Sequence, residues 1–259
     1  MIASPMRFTT LAPDAVEKIL PVMADPQVAA ASGTVMPRRV RTLWERGRYV
    51  EYLFVFAFYK TTQDYYGQPF IASGCFAIYR SSVLFEVGGW ATRTIAEDMD
   101  LTWSIYDRGY RVGFVPEAIS YPIEPPDFNF MRRQLGRWNR GFVQNVLLHR
   151  RTILRQPFLR SIVAIALWDS VVASLAYLLL LPYLAITLSP WWLIGYVIDL
   201  PAMMVPILVP AARRSELRKA LASIPGFFVL RWVNAIFILH AFWMELVMRR
   251  RLTVFEKGH

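Results

Sequence analysis

Cysteine and acidic residues are scarce in this chain of 259 residues. Cys75 is the single cysteine, so there is no internal disulfide framework, and a reducing compartment is the simpler assumption. Nineteen acidic residues stand against 29 basic ones, which gives a formal net charge of +10. Such an excess suits nucleic acid, an anionic membrane face or a phosphorylated substrate. Composition alone does not choose among these partners.

Charged residues are also nearly missing from three long runs in the C-terminal part. The chain is 55% hydrophobic and 15% aromatic, which is above the usual range of soluble domains. The apolar runs 162–188, 191–209 and 224–248 are each long enough to cross a hydrocarbon core of about 30 Å. Residues 161–259 are therefore predicted to form an all-α transmembrane region of about three helices. Because the basic residues adjoin these runs, nucleic acid is not expected as a partner.

The positive charges predict how these spans are oriented. Basic residues cluster before the first span and between the second and third, whereas the turn 188–190 has none. This pattern places the globular half in the cytoplasm and predicts a multi-pass protein of the inner (plasma) membrane. The basic tail 249–251 also favours the cytoplasm, although three crossings would place it outside. Either the tail departs from the rule or one segment does not cross fully, and the sequence leaves both alternatives open.

Ionisable residues lie inside the apolar runs, among them Asp169, Asp199 and Arg231. Such residues are costly within a bilayer and face a protein interior or a polar pathway. A polar tunnel for a sugar chain and mutual pairing with Arg231 both explain the two aspartates.

Residues 1–160 have the pattern of a globular α/β unit. Strands are predicted at 28–35, 70–79 and 110–115, and the loop 122–127 follows the last of them. Helices are predicted up to Met23, within 38–60, at 94–108 with Gly109 as the C-cap, and at 128–149.

Two short motifs in this half carry the chemistry. Glu97 and Asp98 open a predicted helix, and by themselves two acids there are typical of a helix N-terminus. The second motif is the run Gln134-Leu135-Gly136-Arg137-Trp138 in the arginine-rich helix 128–149. Taken alone, this run indicates a basic amphipathic helix on anionic lipid.

Together, the order of the motifs is more specific than either motif. An acidic pair, a strand, a proline-rich loop, Q-x-x-R-W and apolar spans follow one another. Supporting phrases are Ser73 to Arg80, which reads SGCFAIYR, and Val87 to Trp90, which reads VGGW. This order resembles the processive family 2 glycosyltransferases, which include synthases of cellulose, hyaluronan, chitin and poly-N-acetylglucosamine. The resemblance implies a GT-A-type nucleotide-diphospho-sugar transferase domain in residues 1–160.

The resemblance implies a role for each motif residue. Asp98 is the catalytic base that takes a proton from the acceptor hydroxyl, and Glu97 is its neighbour. Arg137 and Gln134 bind the diphosphate of the nucleotide-sugar donor, and Trp138 offers a flat face to the acceptor sugar. A further group, Ser73, Gly74 and Cys75, is expected on the acceptor side.

The resemblance fails at the start of the chain. The family carries an Asp-x-Asp motif for Mg²⁺ or Mn²⁺ before a phrase such as Thr9-Thr10-Leu11-Ala12-Pro13-Asp14, and here Met6, Arg7 and Phe8 occupy that slot. The metal ligands and the uridine pocket are therefore expected to be missing from this chain. An N-terminally truncated synthase, with only the C-terminal half of the transferase domain, is the expectation. A split enzyme is the alternative explanation.

The expected activity is transfer from a nucleotide sugar, UDP-linked by resemblance, to a growing polysaccharide or oligosaccharide with inversion. N-acetylglucosamine polymers are favoured over cellulose because of the compact spacing and the three closing spans. Two other functions stay open. One is a non-catalytic membrane subunit or scaffold, and the other is a non-processive transferase acting on a lipid carrier. The lipid bilayer is a partner in every case, and an accessory subunit is compatible with all of them.

Overall fold

The computed structural model describes residues 2–3, of which only the backbone is considered, and residues 9–253. Met6, Arg7 and Phe8, the slot of the expected metal motif, lie outside the described residues. The described chain consists of a mixed β-sheet with packed helices, followed by a helical region.

In the described residues, five strands form one sheet in the order β1-β4-β3-β5-β2. Their bounds are β1 Ile2–Ala3, β2 Thr9–Leu11, β3 Val28–Val35, β4 Ala77–Tyr79 and β5 Arg111–Pro122. β3 runs parallel to β5, and the other neighbours are antiparallel. All eight residues of β3 are buried, as in a central strand covered on both faces. The prediction of a strand at 28–35 is confirmed.

Gly33 in β3 marks an irregularity in the parallel pairing with β5. The register shifts between Gly33 and Thr34, and a Cβ atom on Gly33 would lie 1.9 Å from the carbonyl oxygen of Ala118. Glycine is required here because the neighbouring backbone approaches where a side chain would begin.

Seven helices accompany the sheet in the described part of the globular half. They are α1 Ala15–Ile19, α2 Leu43–Phe54, α3 Lys60–Tyr65, α4 Ser81–Glu86, α5 Glu97–Asp107, α6 Phe128–Leu148 and α7 Arg150–Arg155. Local sequence explains two of the starts. Thr42 and Glu45 form a capping box on α2, and the Asp127 carboxylate accepts from the Phe130 amide at the start of α6.

The strand predicted at 70–79 is wrong over most of its length, because only Ala77–Tyr79 pair with the sheet. Side chains take up the backbone donors of the preceding residues instead. The Phe70 amide donates to Gln63 Oε1 at 2.8 Å, and the Ala72 amide donates to Thr102 Oγ1 at 2.9 Å. The segment therefore forms a loop held to α3 and α5. Conversely, β5 continues to Pro122, well beyond the predicted strand at 110–115.

The C-terminal region is helical. It contains α8 Pro157–Leu167, α9 Leu181–Thr187, α10 Leu200–Arg213 and α11 Leu217–Phe242. Turns of π- and 3₁₀-helix extend them, so that three helical segments are long and apolar enough to span a membrane: Pro157–Thr187, Pro190–Arg213 and Leu217–Val247. Trp243–Val247 is a π-turn that continues α11.

Arg231 of α11 pairs with Asp199 at the start of α10. Its two terminal nitrogens lie 3.0 and 2.6 Å from the carboxylate oxygens, and the guanidinium stands 5.0 Å from the Tyr177 ring centroid. Of the two explanations left open for Asp199, the structure has the pairing with Arg231.

Candidate active site

Asp98 lies in the first turn of α5 with its carboxylate directed at the loop before β4. Its Oδ2 atom accepts a hydrogen bond from the Gly74 amide at 3.0 Å, and its Oδ1 atom accepts from the Met99 amide at 3.0 Å. Burial raises the pKa of Asp98, while these amides and the nearby Arg137 guanidinium oppose the rise. The result is a half-buried carboxylate of raised basicity, suited to accept a proton.

Glu97 precedes Asp98 and shares its surroundings. Burial raises the pKa of Glu97, the adjacent Asp98 carboxylate adds to the rise, and Arg137 lowers it. The acid pair and Arg137 therefore lie within electrostatic range of one another, as do Arg137 and Cys75. The structure brings these four predicted residues into one region.

The buried side chain of Lys60 binds the Ser73-Gly74-Cys75 turn through Ser73. The sequence analysis did not single out this lysine. Lys60 is 3% exposed, and its Nζ atom donates to Ser73 Oγ at 2.8 Å and to Ser32 Oγ at 3.2 Å. Burial lowers the pKa of Lys60 to about 7. The available signal in the sequence was the position of this lysine at the end of the predicted helical region 38–60. Burial also raises the pKa of Cys75 to about 12, so its thiol stays protonated at neutral pH.

One face of α6 fixes the segment that carries the acid pair. A Cβ atom on Gly141 would lie 2.5 Å from Ala96 Cβ, so helix and segment are in contact there. One turn further, Gln144 Oε1 accepts from the Ile95 amide at 3.1 Å, and Asn145 Nδ2 donates to the Ala96 carbonyl at 3.1 Å. Gln144 and Asn145 stand three and four residues after Gly141, which is the spacing of one helix face.

A cluster around the buried Asp100 carboxylate extends this face by one more turn. Asp100 Oδ1 lies 2.6 Å from His149 Nε2, and Arg93 donates to both carboxylate oxygens at 2.8 and 2.9 Å. Burial by itself would raise the pKa of Asp100, but the hydrogen bonds from His149 and Arg93 outweigh it and leave the pKa lowered. Asp100 is thus a structural anion two residues from Asp98. The sequence reasoning missed its role.

The Q-x-x-R-W run meets a second buried group, centred on Arg48 of α2. Arg48 Nη2 donates to Gln134 Oε1 at 3.0 Å, and its Cζ atom lies 4.5 Å from the Trp138 ring centroid. Arg48 Nε faces Glu124 Oε2 at 4.0 Å, and neither atom has a hydrogen-bond partner. Gln134 and Trp138 are therefore oriented by a buried arginine that the sequence reasoning did not single out.

Among residues 9–253, no three His, Cys, Asp or Glu side chains form a cluster that could hold a metal ion. The described residues thus do not fit a divalent-cation site.

Comparison with known proteins gives the site a family context. A model of the glycosyl transferase family group 2 matches residues 9–209. The poly-beta-1,6-N-acetyl-D-glucosamine synthase of Staphylococcus aureus is 28% identical over 117 residues, which cover 45% of this chain and 28% of that protein. The probable glycosyltransferase YdaM of Bacillus subtilis is 42% identical over 66 residues, or 26% of this chain and 16% of that protein.

A similar solved structure is that of the mannosyltransferase PcManGT from Pyrobaculum calidifontis, in complex with GDP-Man and Mn²⁺. It superposes with a TM-score of 0.50 at 18% identity, and covers 92% of this chain and 59% of that one. At this identity the likeness concerns the fold, and it agrees with the expected GT-A-type arrangement. All three matches cover less than two thirds of the relative's length.

Proposed function

The chain belongs to glycosyl transferase family group 2, and from that premise we propose that it takes part in building a polysaccharide at a membrane. Residues 1–160 transfer a sugar from a UDP-sugar to the growing chain with inversion. Residues 161–259 hold this domain in the inner membrane, with the globular half on the cytoplasmic side. The observation that carries the proposal is the geometry around Asp98. Its carboxylate accepts a hydrogen bond from the Gly74 amide and interacts electrostatically with the Arg137 guanidinium.

Asp98 acts as the general base. It takes the proton of the acceptor hydroxyl as that oxygen attacks the anomeric carbon of the donor sugar. The bond from this carbon to the diphosphate breaks on the opposite side, so the anomeric configuration inverts. The Gly74 hydrogen bond to Oδ2 fixes the carboxylate, and Oδ1 and Oδ2 each keep a lone pair for the incoming proton.

Arg137 and Gln134 support departure of the nucleoside diphosphate. A guanidinium forms paired hydrogen bonds with phosphate oxygens and stabilises the negative charge that grows on them. Trp138 presents its ring to the acceptor sugar, and the Arg48 guanidinium beside that ring holds it in place. Ser73, Gly74 and Cys75 line the acceptor side of the same region.

N-acetylglucosamine is the proposed sugar. The support is the Staphylococcus aureus relative, whose name gives poly-beta-1,6-N-acetyl-D-glucosamine as its product. A divalent cation is expected in this family, since the Pyrobaculum neighbour holds Mn²⁺ with GDP-Man. Among residues 9–253, no group of three His, Cys, Asp or Glu side chains is available to hold it.

The test is a transfer assay on membranes that contain the full-length protein. Radiolabelled UDP-N-acetylglucosamine, UDP-glucose and GDP-mannose are supplied separately with Mg²⁺ or Mn²⁺, and label is followed into insoluble polymer and into lipid extract. We expect polymer from UDP-N-acetylglucosamine. Asp98→Asn should lower the rate by roughly 100- to 10,000-fold, the usual contribution of a general base.

Asp25→Asn is the matched control, because Asp25 lies on a turn before β3 and its hydrogen bond to the Gln27 amide is exposed. Label found only in the lipid extract would show that the protein glycosylates a lipid carrier and does not make a polymer. No transfer from any donor would favour a scaffold. Undiminished polymer in Asp98→Asn membranes would remove Asp98 from the role of base.

A further inference from the structure

The end of α11 is bound to the helix that fixes the acid pair. Glu245 lies in the π-turn that continues α11, and its side chain is buried. Its Oε1 atom accepts from Arg140 Nε at 2.7 Å and from Gln144 Nε2 at 3.0 Å. Arg140 and Gln144 stand four residues apart on α6, which places them one turn apart on one face of the helix. A single carboxylate oxygen thus holds two turns of α6.

Gln144 joins this contact to the candidate active site. Its Oε1 atom accepts from the Ile95 amide at 3.1 Å, while its Nε2 atom donates to Glu245. Ile95 lies three residues before Asp98. The side-chain amide of Gln144 therefore links the end of α11 to the backbone that leads into the acid pair.

The polarity of this link leaves one orientation for the Gln144 amide. The side-chain oxygen of a glutamine only accepts hydrogen bonds, and its NH₂ group only donates them. The Glu245 carboxylate and the Leu252 carbonyl both face the Nε2 atom, at 3.0 and 3.2 Å. A reversed amide would place oxygen against these two oxygens and an NH₂ group against the Ile95 N–H. Glu245 therefore keeps the oxygen of Gln144 turned towards Ile95.

The tail beyond α11 adds to the same contact. Arg249 has a φ of 51°, in the left-handed region in which many helices end. After this turn the Leu252 amide donates to Glu245 Oε1 at 3.3 Å, and Arg140 donates to the Arg250 carbonyl. The Oε1 atom of Glu245 thus accepts from three donors, two on α6 and one in the tail.

The acid-pair segment, residues 94–98, has other attachments to α6. Gly141 is in close contact with Ala96. Asn145 Nδ2 donates to Thr94 Oγ1 at 3.2 Å and to the Ala96 carbonyl at 3.1 Å, so both of these partners belong to the segment itself. Gln144, by contrast, binds the segment and the end of α11 at once. It is therefore the residue through which α11 can act on the segment.

We propose that Glu245 is a positioning residue for Asp98. By orienting the Gln144 amide it holds Ile95, and through Ile95 it holds the backbone that determines where the Asp98 carboxylate lies. Glu245 touches no substrate in this role. Its effect is on kcat, because a displacement of about an ångström at a reacting group is enough to slow the reaction strongly. The inference rests on the proposed function of Asp98 as the base.

Two substitutions of Glu245 separate the role of an acceptor from that of a charge. Glu245→Met fills the site without a strong acceptor, whereas Glu245→Gln removes the charge and keeps a side-chain oxygen. In membranes that contain the full-length protein, Glu245→Met should lower kcat by roughly 10-fold with an unchanged KM for UDP-N-acetylglucosamine. Glu245→Gln should retain the wild-type kcat. Equal losses in both variants would show that Glu245 only neutralises Arg140, and would overturn the proposal.

Gln144 tests the route. Gln144→Ala should lower kcat to a similar extent, and the double variant Gln144→Ala/Glu245→Met should be no slower than Gln144→Ala alone, because both residues act through one hydrogen-bonded path. Losses that multiply would overturn the route through Gln144. Glu216→Ala is the matched control. This carboxylate accepts from Tyr49 of α2 at the other end of α11, so its removal should leave kcat unchanged.

Hydrogen exchange at Ile95 tests the contact without the reaction. In purified full-length protein, the peptide that contains the Ile95 amide should exchange roughly 10-fold faster in Glu245→Met than in the wild type, while peptides of β3 keep their rate. An unchanged rate for the Ile95 peptide would overturn the proposal. Faster exchange throughout β3 would overturn it as well, because the effect would then be a general loss of stability. Absence of transfer in the wild type would instead count against the proposed function, and the exchange result would stand by itself.

Discussion

The Gly74 amide donates a 3.0 Å hydrogen bond to Asp98 Oδ2, and Gly74 itself has no side chain between its backbone and this carboxylate. A Cβ atom on Gly74 would itself lie 3.0 Å from that oxygen. The candidate base is therefore fitted against bare backbone, and its position depends on the absence of a methyl group.

Gly74→Ala should lower kcat for transfer by roughly 10- to 100-fold, because a displacement of about an ångström at a reacting group is enough for such a loss. The fold should survive, since the turn lies at the edge of the site. Steady-state rates and thermal unfolding in detergent check this. An unchanged kcat would mean that Asp98 tolerates the displacement.

The pH profile of transfer should reflect burial of Asp98. A general base works when deprotonated, and burial raises the pKa of Asp98 above the usual value of 3.8. Activity should therefore fall on the acid side at a higher pH than an exposed aspartate would give. The hydrogen bond from the Gly74 amide lowers the pKa of Asp98, and the methyl group of Gly74→Ala should weaken this bond by displacing the carboxylate. The acid limb of the variant's profile should therefore lie at a higher pH than that of the wild type. The kcat–pH profiles of both proteins measure it, and an identical limb would contradict the role of the amide.

Gly141→Ala should destabilise the protein by about 1–3 kcal/mol, the range for overpacking a close contact. Its methyl group would lie 2.5 Å from Ala96 Cβ. Gly136→Ala in the same helix is the control. Outside the adjacent backbone of α6, no atom of the described residues lies within 4 Å of a Cβ there, so this change should be neutral or stabilising by up to about 1 kcal/mol. Equal unfolding temperatures for the two variants would show that α6 does not press on the acid-pair segment.

Lys60→Met should remove a pH dependence of stability. The folded-state pKa of Lys60 is about 7, below the usual 10.5, so the unfolded chain holds more protons between these values. Stability of the wild type therefore rises with pH across this window. The unfolding temperature of Lys60→Met relative to wild type should fall between about pH 6.5 and pH 9.

Lys18→Met is the control for that measurement, because Lys18 lies exposed on α1 and its pKa is raised by Asp14. Its difference from wild type should stay constant over the same window. A constant difference for Lys60→Met as well would contradict the depressed pKa.

Arg48→Ala should destabilise the protein by about 3–5 kcal/mol, because it leaves the Glu124 carboxylate buried without the charge that faces it. Glu124 is 3% exposed and accepts a hydrogen bond from Tyr52 Oη at 2.9 Å. Adding Glu124→Gln should recover part of the loss. A double-mutant cycle by denaturant unfolding measures the coupling, and additive losses would show that the two charges act independently.

Local sequence signals predicted the central strand and the long helices of the globular half, but not the short elements β1, β2 and α4. The small-residue run of β3 and the basic run of α6 predicted both elements to within one residue. The strand predicted at 70–79 failed because its backbone donors bind Gln63 and Thr102, which are distant in sequence. A local pattern does not contain such tertiary partners.

The acid pair was recognisable in the sequence as a motif, whereas the residues that position it were not. Gln144, Asn145 and His149 share a helix face with Gly141, a spacing that was open to recognition in the sequence. The facing partners Ile95, Ala96 and Asp100 follow only from how α5 meets α6. Lys60 and Arg48 were harder still, because a lone basic residue in an apolar or amphipathic helix more often reaches solvent than the core.

The crossing of α2 and α11 at Gly47 and Gly226 has a consequence for how this protein varies. A Cβ atom on either residue would lie 2.7 Å from a carbonyl oxygen of the opposite helix, on Gly226 or on Leu43. A larger residue at one position is not relieved by a smaller one at the other, since the obstruction is backbone in both directions. A substitution at one of these glycines therefore cannot be compensated by a substitution at the other, as it can between two packed side chains. The closest separation of α2 and α11 is therefore set by their backbones, which no exchange of side chains alters.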